Sequence, residues 1–417
     1  TSPQMLSSEM LSPESTAVVK ATAGVVADNS VEITTRFYPH MFAAHPELMR
    51  VFNKANQAIG EQPQALAASV VAYAVNLIDP DAPDFGPVMR RIAHKHVSLG
   101  IKSYEYPIVG HHLMWAIGDV LGDAVTPEIA AAWDEVYWLF GCQLLAEEAR
   151  LYALGGTDPE QPWRKYRVVE RLDESPAIFS LVLAPVEGKT PDHQTGQYVA
   201  IAVDLPGGER QPRQYTISSG PQGNSFRVTI KRVRGVGGNP DGQVSNWLGD
   251  NAKPGAVLDV SQPCGDLVLD ESDGPLVLVS AGIGSTPIAA IVEDLSRRQP
   301  DRQVRIFHAD TSHSNHALYA HLRRQVLAMG DAKAQNWYEE DAESAPTLHP
   351  ARPGRMDLSD IQIPSDATVF MCGPLPFMQT TRKALLDKGI SAERIHYEVF
   401  GPDLWAQNPD NVESTGS

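Results

Sequence analysis

Apolar and polar positions change their period twice along this chain. Through the first 150 or so residues the apolar positions recur three and four apart, the period of helices that bury one face. Ser12-Pro13-Glu14 reads as a helix start, with a hydroxyl cap, a proline at the first helical position and an early acid. Further helical stretches are expected over about 30–43, 62–78, 87–99, 105–121 and 127–153, broken by Pro46, Gly60, Pro80, Pro83, Gly100 and Gly122. After Gly155-Gly156-Thr157-Asp158-Pro159 the period becomes two. Segments 166–169, 179–183, 198–203, 214–217, 226–231 and 257–260 then predict six antiparallel strands. A third regime opens at Leu276-Val277-Leu278-Val279-Ser280, a continuous apolar run of the kind buried on both faces in a parallel sheet. Segments 304–309 and 368–372 repeat it, with helical stretches between.

These regimes predict a multidomain chain. An all-α globin or another helical bundle covers 12–153. An antiparallel β-barrel covers 160–270, and an α/β doubly wound parallel-sheet domain covers 274–404. Residues 1–11 and 405–417 are expected to be flexible tails.

Composition narrows the class of partner. The chain has 417 residues, 42% hydrophobic and 20% charged, an ordinary balance for a globular protein. Its formal charge of -17 argues against nucleic acid or an anionic membrane as partner. No apolar run approaches the roughly 18 residues a membrane span needs. Thr1-Ser2-Pro3-Gln4 shows no basic segment leading into an apolar one, so no secretion signal is expected. Cys142, Cys264 and Cys372 are far apart and form no CxxC or CxxCH, which points away from a disulfide framework or covalent haem. A cytoplasmic monomer is expected.

Polar residues on apolar helix faces mark candidate chemistry. His96 falls on the stripe of Val88, Ile92 and Leu99. Gln62 heads a stripe continued by Leu66, Val70, Tyr73 and Leu77. Tyr38 shares a face with Val31, Thr34 or Thr35, and Phe42, while Glu148 follows Trp133, Tyr137, Phe140 and Leu144. A lone histidine in such a place is more often a core residue. Four polar groups on four apolar faces would each cost energy if buried alone, and one shared interior site satisfies them together.

The barrel segment carries Pro212-Arg213-Gln214-Tyr215-Thr216-Ile217-Ser218-Ser219, in which Arg213, Tyr215 and Ile217 share a face. Such a strand lays a phenol against a flat cofactor while a guanidinium forks onto its phosphate. Gly196-Gln197-Tyr198 precedes it. Gly242-Gln243-Val244-Ser245-Asn246-Trp247-Leu248 follows and starts a short helix whose free N–H groups suit an anion. In the last segment Ala281-Gly282-Ile283-Gly284-Ser285-Thr286-Pro287 joins strand to helix in the manner of dinucleotide sites. Cys372-Gly373-Pro374 ends a later strand. Asp310 ends another, where a carboxylate would hold a ribose 2′-hydroxyl and favour NADH over NADPH.

The Arg213-x-Tyr215-Thr216 pattern resembles the flavin strand of ferredoxin-NADP reductases. Over about residues 12–404 the chain resembles the flavohaemoglobins. The matching stretches are Phe37-Tyr38-x-x-Met41-Phe42, Pro46-Glu47-Leu48 with Phe52-Asn53, Gly60-Glu61-Gln62, Ile92-Ala93-His94-Lys95-His96, Ile101-Lys102, Tyr106-x-Ile108-Val109-Gly110 and His396-Tyr397-Glu398-Val399-Phe400-Gly401-Pro402. The resemblance implies His96 as the proximal iron ligand of a non-covalent haem b. It implies Tyr38 and Gln62 as distal donors, Phe52, Leu66 and Lys95 around the haem, and Tyr106 with Glu148 as a proximal relay. It places FAD on Tyr198, Arg213, Gln214, Tyr215, Thr216, Val244 and Ser245, with Val399, Phe400, Gly401 and Pro402 covering the flavin. It places NADH or NADPH on Gly282, Ile283, Gly284, Ser285, Thr286 and Pro287, and on Cys372, Gly373 and Pro374. The implied activity is that of a nitric oxide dioxygenase, converting NO and O2 to nitrate with electrons from NAD(P)H through FAD and haem. The alternatives are a hydroperoxide or ferric reductase on the same module, and a haem-based O2 or NO sensor.

Overall fold

Ser12 opens the first helix as its side chain requires: its Oγ accepts from the Ser15 N–H at 3.2 Å, and Pro13 takes the first helical position. In the computed structural model residues 10–51, 61–238, 240–266, 269, 271–398 and 400 are described, with backbone alone for 61–65 and 67. Helix α1 (Pro13–Ala44) then runs unbroken for 32 residues, where the sequence predicts two helices meeting near residue 30. Its polar side chains bond back to the helix's own carbonyls. Thr22 Oγ1 donates to the Val18 carbonyl, Asn29 Nδ2 to Val25, Ser30 Oγ to Ala27 and Thr34 Oγ1 to Ser30.

A short 3-10 turn (Pro46–Val51) follows, then α2 (Glu61–Ile78), α3 (Gly86–Leu99), α4 (Glu105–Leu121) and α5 (Pro127–Gly155). Gly100 and Gly156 take the left-handed cap conformation at φ 69° and 61° that stops α3 and α5. These helices share one core, built from Val19, Val26, Ile33, Phe37 and Met41 of α1, Tyr73 and Leu77 of α2, and Trp133, Tyr137, Phe140 and Leu144 of α5. This is the all-α segment that the helical period predicts.

The chain forms two compact units. One holds the helical segment to Pro162 with Glu209–Pro212, and the other holds Trp163–Gly208 and Arg213–Phe400. The second unit contains two sheets. Strands β1 (Arg164–Ser175), β2 (Ile178–Pro185), β3 (Tyr198–Asp204), β4 (Arg210–Thr216), β5 (Phe226–Lys231) and β6 (Val257–Val260) pair antiparallel in the order β4-β3-β6-β1-β2-β5. An antiparallel bridge between Ile217 and Val228 joins the first edge to the last, so the sheet curls into a barrel. Helix α6 (Gln243–Asn251) lies between β5 and β6.

The last sheet is parallel: β7 (Leu276–Ala281), β8 (Val304–Asp310), β9 (Ala332–Tyr338), β10 (Arg352–Pro353), β11 (Thr368–Cys372) and β12 (Ile395–Glu398) in the order β10-β9-β8-β7-β11-β12. Helices α7 (Ser285–Arg298), α8 (Tyr319–Ala328) and α9 (Leu375–Asp387) cross between strands. The order reverses between β7 and β11, and in open α/β sheets the crevice at such a switch point is where ligands sit. No described helix is long and apolar enough to cross a membrane.

Candidate functional site

Two helices lock together around the sequence-predicted relay. On α4, Gly110 leaves room for the Tyr137 ring of α5, which any Cβ at 110 would strike. On α5, Gly141 gives the Tyr106 ring of α4 the same space, its would-be Cβ lying 3.2 Å from Tyr106 Cδ1. The Tyr137 hydroxyl donates to the Tyr106 carbonyl. Held this way, the Tyr106 hydroxyl donates to Glu148 Oε1 two helical turns beyond Gly141. Burial, with the Glu148 carboxylate close by, pushes the phenol's pKa far up, so it stays a donor.

His96 completes the group. Its Nδ1 lies 2.7 Å from Glu148 Oε1 and 2.9 Å from the Tyr106 hydroxyl. With the carboxylate only 4% exposed, Nδ1–H is the donor and the tautomer is thereby set. Nε2 has no hydrogen-bond partner among the described residues. A histidine whose Nδ1–H is committed to a carboxylate presents Nε2 as a neutral, basic ligand, which is the second-sphere arrangement of metal-bound imidazoles. This donor set fits haem iron.

The helix faces differ in detail from the expected ones. On α3 the buried residues are Met89, Ala93, Val97 and Ser98, of which the first three lie one position away from the predicted stripe of Val88, Ile92 and His96. One residue is a 100° turn, too fine for apolar spacing to resolve when adjacent stripes are both apolar. Val88 and Ile92 are partly buried and flank that core. On α1, Tyr38 is buried with Thr34, whereas Thr35 is exposed and Val31 is 52% exposed. The α5 face of Trp133, Tyr137, Phe140, Leu144 and Glu148 is buried throughout, as the spacing predicts. Leu66 packs on the edge of the helical core.

In the barrel, Arg213 and Tyr215 are partly buried neighbours on β4. Burial drives the guanidinium's pKa down while the Tyr215 side opposes it, and burial drives the phenol's up. The next residues close the barrel, with Ile217 N–H donating to the Gln197 carbonyl at 3.0 Å and Ser218 N–H to Arg227 at 2.7 Å. Helix α6 starts at Gly242 with no side-chain cap, so its first amides, near Val244 and Ser245, remain available to an anion.

At the switch point of the parallel sheet two loops interlock. Gly284 sits against the Cys372 carbonyl, which a Cβ would strike, and a Cβ added at Gly373 would crowd Ala281, 3.2 Å from its amide nitrogen. Gly282 has φ 55°. Ser285 Oγ, at the start of α7, is buried with no hydrogen-bond partner among the described residues. A strand, a glycine turn, a close backbone approach and a buried unused hydroxyl at a helix start together fit a dinucleotide phosphate. Cys372 is buried beside Glu398, and a small cleft lined by both also touches Thr195, Gly196, Pro287 and Ile288. Burial first, then Glu398, pushes the thiol's pKa well up, so Cys372 is a neutral thiol.

Three family models match in chain order: globin over residues 35–143, oxidoreductase FAD-binding domain over 165–269 and oxidoreductase NAD-binding domain over 278–383. The flavohemoprotein of Bordetella parapertussis is 42% identical over 402 residues, covering 94% of this chain and 99% of that one. The chain belongs to the flavohemoprotein family. The flavohemoprotein of Rhizobium meliloti is 40% identical over 95% of this chain and all of its own. Among solved structures, the flavohemoglobin of Malassezia yamatoensis with bound FAD and heme superposes with a TM-score of 0.82 at 33% identity, over 94% of this chain and 100% of that one. The FAD/NAD-binding domain of a nitric oxide dioxygenase from Vibrio cholerae matches at 35% identity and TM-score 0.53, over 57% of this chain and 99% of that one.

Set in that family, the structure brings His96, Tyr106 and Glu148 into direct contact. It buries Tyr38 and Thr216, and it sets Tyr198 in the β3 edge against Gly265 and Cys264. Phe52, Val399, Gly401 and Pro402 lie outside the described residues, as does the side chain of Gln62. Phe400 is described and 45% exposed. Asp310 ends β8, as the sequence predicts. Its Oδ2 lies 3.1 Å from His308 Nε2 and its Oδ1 accepts from Thr311 N–H, so the carboxylate is turned into the domain. Glu398, which the sequence offers only within the His396–Pro402 stretch, is buried on β12 and lines the same cleft as Cys372.

Proposed function

We propose that the chain is a nitric oxide dioxygenase that turns NO and O2 into nitrate with electrons from NAD(P)H. The observation that carries this reading is Glu148, which binds His96 Nδ1 and the Tyr106 hydroxyl with one oxygen. A carrier needs only a neutral imidazole. A carboxylate on Nδ1 makes the imidazole more basic and more electron-donating, which serves reduction of an iron-bound ligand rather than its storage.

Bound haem supplies an iron at which the two gases meet, bound FAD converts a two-electron donor into single electrons, and NAD(P)H supplies the hydride. The protein's part is placement. His96 Nε2 would hold the iron, and Glu148 with Tyr106 fixes the imidazole ring. Tyr38, buried on α1, would offer a phenolic donor to the gas ligand, and Gln62, Phe52, Leu66 and Lys95 are proposed to complete the haem surroundings. Arg213, with Gln214, Thr216, Val244 and Ser245, would hold the FAD phosphates, and Tyr215 and Tyr198 would lie at its ring, which Val399, Phe400, Gly401 and Pro402 are proposed to cover. Gly282 to Pro287 and Cys372 to Pro374 hold the nicotinamide nucleotide. The module boundaries are 12–153, 160–270 and 274–404. Three free thiols and the acidic surface suit a cytoplasmic monomer.

The test is turnover. With NADH and O2 present, NO should disappear at a steady rate and nitrate should appear in equal amount. Normal reduction of haem with only slow NO loss would overturn the reading in favour of a reductase or a sensor.

Two substitutions examine the residues separately. Glu148→Ala is expected to lower turnover about 10- to 100-fold through the lost support of the ligand. It should also lower the iron–histidine stretching frequency of the ferrous protein in resonance Raman. An unchanged frequency would remove Glu148 from the relay. Tyr38→Phe is expected to lower NO consumption by roughly 100- to 1000-fold, the range for losing one preorganised donor at a developing charge. NADH-driven flavin reduction should be untouched, and equal loss in both assays would mean that Tyr38 serves packing instead.

A further inference from the structure

The flavin strand leads into a polar chain that ends in the neighbouring nucleotide domain. Ser218 Oγ lies 2.9 Å from Thr229 Oγ1, which lies 2.9 Å from Ser180 Oγ. Ser180 Oγ donates to Glu174 Oε1 at 2.8 Å. Glu174 Oε2 then accepts from the backbone N–H of Leu318 at 2.6 Å, 144 residues away and on the far side of the domain boundary. Because Ser180 spends its hydroxyl proton on the carboxylate, Thr229 is the donor to Ser180. The chain is thus polarised towards Glu174, and Ser218, Thr229 and Ser180 are all buried.

Leu318 is an unusual residue to find at that end. It has φ 62°, in the left-handed region where a leucine costs about 1–2 kcal/mol. It is the N-cap of α8 and offers no side-chain cap to that helix. Such a conformation persists only where the surroundings over-determine it. Two things do so here, the Glu174 carboxylate and an apolar seat. Leu318 and Ala317 pack with Ala289 of α7 and with Ile178 at the start of β2, and Ala177 and Ile283 close the cluster. Ile283 lies between Gly282 and Gly284. The β1–β2 hairpin of the barrel therefore grips both the glycine turn and the start of α8.

We propose that Glu174 is a positioning residue for hydride transfer: by holding Leu318 it sets the nucleotide domain against the flavin strand. The inference rests on the NAD(P)H-to-flavin half of the proposed function. A small shift of donor against acceptor costs rate steeply while leaving the phosphate contacts that give affinity in place.

The experiment is anaerobic stopped-flow reduction of the FAD in the full chain by NADH and by NADH deuterated at C4. Glu174→Ala should slow the limiting reduction rate roughly 10- to 100-fold, with the isotope effect retained and the apparent NADH dissociation constant little changed. Glu174→Gln keeps an oxygen acceptor for Leu318 and should recover most of the rate. A full rate in Glu174→Ala, a loss confined to NADH affinity, or no rescue by glutamine would each overturn the proposal. Should Glu174→Ala not retain FAD, Ser180→Ala removes one bond to the same carboxylate and should slow reduction in the same direction. An unchanged rate there is equally fatal. Failure of the unsubstituted chain to reduce its FAD with NADH would instead defeat the functional reading on which the inference stands.

Discussion

Replacing His96 with alanine is expected to abolish the haem Soret band and all NO consumption while leaving NADH-driven reduction of ferricyanide intact. The asymmetry follows from where the residue sits. His96 is on α3 in the helical unit, and among the described residues its Nδ1 contacts Glu148 and Tyr106. Both of those partners belong to the helical unit. Losing the imidazole removes the iron ligand outright and also leaves the Glu148 carboxylate buried with only the Tyr106 hydroxyl on that oxygen, a penalty for the helical unit alone. Added imidazole should restore part of the Soret band, because the carboxylate that oriented the side chain remains to orient the free ring. Normal haem content in the alanine variant would make the ligand assignment wrong. Lost ferricyanide reduction would mean that the reductase half depends on haem for its stability.

The second large effect is expected at Gly284. Its φ of -59° is open to any residue, so the glycine is required for space and not for backbone freedom. A methyl group there would run into the Cys372 carbonyl and crowd the Gly373 amide. Neither can retreat easily, because β7 and β11 are paired from Leu276 with Thr368 through Ser280 with Cys372. Gly284→Ala should cost about 1–3 kcal/mol by overpacking and should part the two loops that form the switch-point crevice. Displacing the nucleotide by about 1 Å would lower flavin reduction by roughly 100-fold. FAD content, and haem reduction by dithionite, should stay normal. Flavin reduction at the usual rate would show that NADH does not use this crevice, and loss of FAD would show that the damage reached the barrel.

Much of the molecule was legible from spacing. The period change near residue 156 marks where helices give way to antiparallel strands. The unbroken apolar run at 276–280 became the central β7, buried on every residue but the last of its span. Where period reading failed, it failed by one residue or by a join. α1 runs on through residue 30, its threonine and asparagine side chains bonding back to its own carbonyls. On α3 the core took Met89, Ala93 and Val97 and left His96 at its margin.

The candidate site divides in the same way. Glu148 was conspicuous as a carboxylate closing an apolar face, and Gly282 and Gly284 stood between a strand and a helix. Nothing local to Asp310 announced that His308 would draw its carboxylate inwards. Nor does Glu174, in an ordinary hairpin, announce a partner as distant as Leu318.

By itself, then, the sequence determined which elements form, in what order, and which side chains are too polar for the faces they occupy. Those are consequences of periods and propensities that act over a few residues. Only the tertiary structure decided what each polar group does there: that Glu148 meets His96 and Tyr106, that Gly284 meets Cys372, and that a barrel carboxylate caps a strained leucine. The reason is physical. A hydrogen bond or a close backbone approach depends on fractions of an ångström between segments far apart in the chain, and no local pattern carries that distance.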